Sequence, residues 1–119
     1  MDKPDAFGGS DEGPSPTGYL FASLAGCTTV IIERIATDLG IQADGIKVRS
    51  EAFYSPWGIA DQDGYESAPT EVRSDITLKT SASDTEINNL QKAYFKHCPI
   101  YNLFRKSGTK VVDNWVIKR

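Results

Sequence analysis

The segment Ser15-Pro16-Thr17-Gly18-Tyr19-Leu20-Phe21-Ala22-Ser23-Leu24-Ala25-Gly26-Cys27-Thr28 opens a long helix and carries the first of two cysteines. Ser15-Pro16 is a start signal. The serine hydroxyl can accept from a first-turn amide, and proline suits the first helical position because its missing N–H had no intrahelical partner. Leu20, Leu24, Cys27, Ile31 and Ile35 then recur at spacings of three and four, which places them on one helical face. Charge enters only with Glu33, Arg34 and Asp38, so the first half is expected to be buried on every side. Gly40 reads as the left-handed residue that ends the helix. The expected span is Pro16 to Leu39.

Upstream, residues 1–15 read as a loop broken by Gly8, Gly9, Gly13, Pro4 and Pro14. Downstream, Ile46 to Ala52 alternates as a half-buried strand. Ser55 to Pro69 reads as a loop or hairpin tip, and Glu71 to Lys79 as a second strand. Ser83 with Glu86 matches a capping box for another helix, with Ile87, Leu90 and Tyr94 on one face. His97-Cys98-Pro99 interrupts that helix, because proline cannot sit mid-helix without losing a hydrogen bond. A short helix then starts at Pro99 with Cys98 at its N-cap. Lys110 to Lys118 reads as the last strand. The order predicts one α+β domain over 1–119, a long helix packed on a small antiparallel sheet.

At 119 residues, 39% hydrophobic and 24% charged, the chain has the composition of a soluble globular protein. Its net charge of −3 and scattered basic residues argue against nucleic-acid or anionic-membrane partners. The uncharged run from Gly13 to Ile32 contains too many prolines, glycines and hydroxyls to read as a membrane span. Met1 to Glu12 is acidic, unlike a secretory signal, so a cytoplasmic location is expected. With one histidine and two thiols, no structural zinc site is expected, and no phosphate-cradling loop points to a nucleotide. Tyr19, Phe21, Tyr94 and Tyr101 read as core. Trp57 and Trp115 read as packing residues or as anchors of a subunit contact.

Each cysteine has two readings. Cys27 on an apolar face behaves as a small buried hydrophobe unless something activates it. Cys98 at a helix N-terminus sees unpaired amides and the positive end of the dipole, which favour thiolate. Two thiols that met could run a peroxide cycle. One would attack as thiolate and become a sulfenic acid, and the second would condense with it to a disulfide.

Gly8-Gly9-Ser10-Asp11-Glu12-Gly13-Pro14-Ser15-Pro16, then Leu20 and Leu24-Ala25-Gly26-Cys27-Thr28, resemble the first-cysteine signature of the superfamily of osmotically inducible protein C and organic hydroperoxide resistance protein (OsmC/Ohr). Cys98-Pro99-Ile100 followed by Leu103 is similar to its second-cysteine motif. The resemblance implies an intertwined homodimer with the long helices at its centre. It implies that Cys27 is the peroxidatic thiol and Cys98 the resolving thiol, against the helix-terminus argument that favoured Cys98 for first attack. It also implies organic hydroperoxides as substrates and a dithiol reductant of lipoyl type.

The chain departs from that pattern in two places. The arginine that steadies the thiolate in peroxidatic members comes from strands ahead of the first motif, and the first arginine here is Arg34. Thr17 and Gly18 stand where members often carry a glutamate. Arg34, Arg49, Arg73 and Arg105 are the candidates to supply positive charge from either subunit. These departures lead to an expectation of weakened peroxidase activity favouring bulky organic hydroperoxides. The alternative is a non-catalytic module binding a small apolar ligand or a partner near Cys27.

Overall fold

A computed structural model describes Met1, residues 5–53 and residues 68–119. Trp57 and most of the expected 55–69 loop lie outside the described residues. Among the described residues, three α-helices and three strands follow in the expected order: α1 (Pro16–Asp38), β1 (Ala43–Phe53), β2 (Glu71–Thr80), α2 (Asp84–His97), α3 (Pro99–Lys106) and β3 (Lys110–Lys118). A single 3-10 turn at Asp5–Phe7 precedes them.

The ends of α1 form as the residues dictate. The Ser15 hydroxyl accepts from the Gly18 N–H at 3.0 Å. At the other end Gly40 takes φ +70°. Its N–H then donates to the Thr37 carbonyl and the Ile41 N–H to the Ala36 carbonyl, the paired closure that a left-handed glycine permits. In α2 the capping box is complete. The Glu86 N–H donates to the Ser83 hydroxyl at 3.2 Å, and the Ser83 N–H to the Glu86 carboxylate at 3.0 Å.

The sheet order is β1-β2-β3, with β1 antiparallel to β2 and β2 parallel to β3. The sheet is therefore mixed, which corrects the antiparallel expectation within an α+β class that stands. The cause is the connection. A parallel neighbour needs a crossover of a dozen residues or more, and α2 with α3 supplies it. On β2 the side chains of Val72, Ser74, Ile76, Leu78 and Thr80 are buried against the helices, and the alternate residues face outward.

On α1 the buried stripe is Leu24, Thr28, Ile32, Ile35 and Ala36, rotated from the expected one. Cys27 and Ile31 flank it as partly buried residues. Burial on every side is not what a single chain provides: Tyr19, Leu20 and Val30 are 47%, 41% and 63% exposed. Three strands cover one side of a helix this long and no more. Tyr19 is thus a correction to the expected core, whereas Tyr94 is fully buried. By length and composition α1 could cross a membrane, but here it packs its buried stripe on the sheet and on α2 and α3.

Candidate active site

Cys27 projects from the flank of α1, and Cys98 sits at the break between α2 and α3. Their sulfurs lie 3.7 Å apart, with the Cys98 thiol donating to Cys27. Both are free thiols. Cys27 is partly exposed and Cys98 is 0% exposed. The pairing depends on two local devices.

The first is the break itself. Pro99 has no N–H to offer the Phe95 carbonyl four residues earlier. The Asn102 side-chain amide takes its place, donating to Phe95 O at 3.0 Å and to Cys98 O at 2.8 Å. The cysteine's own N–H still closes α2 onto Tyr94 O at 2.9 Å. Cys98 is thereby held on both sides, in extended backbone (φ −73°, ψ 112°). Sequence reasoning found the break and missed Asn102, although an amide three residues after a helix-interrupting proline is a signal for this repair.

The second device lies under the thiols. Thr28, next to Cys27, shares a buried 2.9 Å hydrogen bond with the Tyr94 hydroxyl. This bond makes a threonine acceptable on the core stripe, because a buried hydroxyl costs free energy only when unpaired. Tyr94 in turn packs on Phe95, Tyr101 and Trp115, with ring centroids 5.4, 5.5 and 5.7 Å away. Tyr94, expected only as core, therefore links the aromatic cluster to the thiol pair.

The electrostatics correct the helix-terminus argument. The backbone N–H groups of Tyr101 and Ile100 do favour thiolate at Cys98. Burial outweighs them and pushes Cys98 above the ordinary thiol range, with the hydrogen bond to Cys27 acting the same way. Cys98 is a thiol that keeps its proton and offers it to Cys27. Burial also raises the Tyr94 phenol well above its usual range, with Thr28 opposing and the charges of Asp113 and Cys98 adding. Tyr101 is raised first by burial and then by Asp113, with Arg105 opposing.

The four arginines named from sequence are engaged elsewhere. Arg34 pairs with Asp38 at 3.2 Å, Arg49 with Glu51 at 2.6 Å and Arg73 with Glu71 at 3.5 Å. Arg105 donates to the Asn102 side chain at 3.2 Å. A cavity of about 240 Å³ opens between α1 and the start of β1, lined by Thr29, Glu33, Asp44 and Ile46 among others. It holds two acids and neither cysteine, so it is not the apolar pocket expected around Cys27.

Solved structures share this architecture. An OsmC-like protein from Mycoplasma pneumoniae is 21% identical, with a TM-score of 0.81 over 98% of this chain and 79% of that one. An osmotic stress induced and detoxification response protein from Psychrobacter arcticus is 23% identical, with a TM-score of 0.72 over 98% and 77%. An organic hydroperoxide resistance protein from Vibrio cholerae, with captopril bound in one of its active sites, is 18% identical, with a TM-score of 0.69 over 97% and 74%. At these identities the likeness shows the fold. No curated protein matches the chain. The family model described as OsmC-like protein matches residues 9–112, a span that contains both cysteines and the break between α2 and α3. The chain belongs to the OsmC-like protein family.

Proposed function

We propose that the protein is a thiol-dependent peroxidase that reduces organic hydroperoxides through Cys27 and Cys98. The observation that carries this is the 3.7 Å sulfur pair, with one cysteine partly exposed and the other enclosed. A peroxide can reach only the partly exposed sulfur. Cys27 as thiolate attacks the peroxide O–O bond. An S–O bond forms, the O–O bond breaks, and the alkoxide leaves as the alcohol after taking a proton. Cys98, which has kept its proton, then attacks the sulfenic sulfur. The S–S bond forms, the S–O bond breaks, and the hydroxide leaves as water with the Cys98 proton. The sulfurs need to close by about 1.7 Å to reach disulfide length. A small dithiol, of lipoyl type in this reading, reduces the bridge by exchange and is itself oxidised. Such a cycle belongs in a reducing compartment, in keeping with a cytoplasmic location.

The working form in this proposal is a homodimer in which a second copy covers the exposed side of α1. Arg34, Arg49 and Arg73, already paired with Asp38, Glu51 and Glu71, support a weakened member of the family, because their charges are committed away from the attacking thiolate. Stopped-flow oxidation by cumene hydroperoxide, run on the wild type and on both serine variants, tests the assignment. Cys27→Ser should abolish peroxide consumption. Cys98→Ser should allow a single turnover and leave the sulfenic acid open to further oxidation. Loss of the first turnover in Cys98→Ser alone, with Cys27→Ser unaffected, would reverse the roles.

A further inference from the structure

Thr28 and Tyr94 are both fully buried, and their hydroxyls share a 2.9 Å hydrogen bond between α1 and α2. On α1, Thr28 directly follows Cys27. On α2, Tyr94 stands one turn before Cys98, and its carbonyl accepts the Cys98 N–H at 2.9 Å. The hydroxyl bond and the 3.7 Å sulfur contact therefore run side by side between the same two stretches of chain. Fixing one contact fixes the spacing available to the other.

The fold itself does not need hydroxyls here. Valine and phenylalanine would fill the same space, and replacing both partners of a buried hydrogen bond by apolar groups of like shape can be neutral or stabilising. The packing around the bond is apolar, with Ile32, Ile35, Ile87 and Leu90 in one core. Such contacts are non-directional and tolerate sliding. A hydrogen bond weakens steeply as its angle is lost, so it holds one register. The Tyr94 ring packs on Phe95, Tyr101 and Trp115, and it cannot swing its hydroxyl away without breaking those contacts.

We infer that Thr28 and Tyr94 are positioning residues that set the reduction potential of the Cys27–Cys98 pair: their bond keeps the reduced chain in the helix register that the bridge requires. With the sulfurs already held together, oxidation loses little further freedom. The coupling is reciprocal. The hydroxyl bond favours the bridge, and the bridge strengthens the hydroxyl bond by the same factor.

The inference rests on the proposed bridging of Cys27 and Cys98, but equilibration with reduced and oxidised glutathione tests it without peroxide. In that exchange the glutathione S–S bond breaks and one forms between Cys27 and Cys98. The two cysteine protons pass to the two glutathione thiols. Tyr94→Phe and Thr28→Val should each make the bridge more reducible by roughly three- to tenfold in the equilibrium constant, or about 15–30 mV. The double variant should shift no further than either single one, because the same bond is lost in each. It should unfold near the wild-type urea concentration while keeping the shifted potential, which a merely structural role does not predict. Thr28→Ser keeps the hydroxyl and should stay near the wild type. Potentials equal to the wild type, or shifts that add, would overturn the inference and leave the peroxidase reading standing. A wild type that never bridges overturns both, whereas shifted potentials in a protein inert to peroxide overturn the peroxidase reading alone. Should the variants fold poorly, solvent exchange of the Tyr94 hydroxyl proton in the wild type decides. It should be slower in the oxidised chain than in the reduced one, and equal or faster exchange would contradict the coupling.

Discussion

Cys98 and Asp113 are both buried ionisable groups, and the interior treats them alike by opposing charge. For Asp113 this makes a stability prediction whose sign follows from proton linkage. Its folded value, about 6, is above the ordinary carboxylate value of 3.8. Between those values the folded state binds the extra proton, so stability falls as pH rises. The penalty is absent below about pH 4 and complete above pH 6. Asp113→Asn should therefore be more stable than the wild type at pH 8, by on the order of 1 kcal/mol once partial exposure of the residue is allowed for. The gain should vanish at pH 4. Urea unfolding of both proteins at the two pH values checks this, and a gain that is the same at both would show that the charge is not its source. Asp113 goes unremarked in the alternation of Lys110 to Lys118, because the burial of its carboxylate is a property of the packed molecule.

At the scale of elements, the junction between α2 and α3 decides where the Cys98 sulfur sits. Asn102 replaces the hydrogen bond that Pro99 cannot make. Asn102→Ala takes the side-chain donor from the Phe95 carbonyl, while the Cys98 carbonyl keeps the backbone N–H of residue 102, and should cost about 1–2 kcal/mol. It should also slow closure of the Cys27–Cys98 bridge while leaving the first oxidation of Cys27 unchanged. Rapid-quench alkylation after peroxide mixing separates the two steps, and equal slowing of both would argue against a positioning role. Most of these elements could be read directly from the chain. Ser15-Pro16, Gly40, the Ser83–Glu86 box and Cys98-Pro99 each mark a boundary through chemistry confined to a few neighbouring residues, and each boundary formed where expected. The parallel pairing of β3 escaped, because strand alternation carries no direction. The rotation of the α1 stripe escaped as well. Thr28 enters the core only because Tyr94, sixty-six positions away, accepts or donates its hydroxyl's bond. The helix-terminus argument for Cys98 was sound about the amides and silent about burial, which is a property of the packed molecule.

At the scale of the whole molecule, α1 is the unfinished surface. Tyr19, Leu20 and Val30 stay largely exposed in the single chain, and β1 is an eleven-residue strand at the sheet edge. Exposed apolar faces and open edges are what subunit contacts cover. Light scattering at micromolar concentration should give twice the chain mass, and Val30→Glu should shift the protein toward monomer; a wild-type monomer would contradict the homodimer. The two sulfurs, by contrast, already meet within one chain, so the chemistry proposed here does not require a bridge between subunits. The most direct test of that chemistry is a count of free thiols per reduced chain, before and after one equivalent of cumene hydroperoxide, with the products separated on a non-reducing gel. The proposed cycle predicts a fall from two thiols to none with every chain remaining monomeric on the gel. Two thiols surviving the peroxide, or loss of thiols only through chain-to-chain crosslinks, would contradict it.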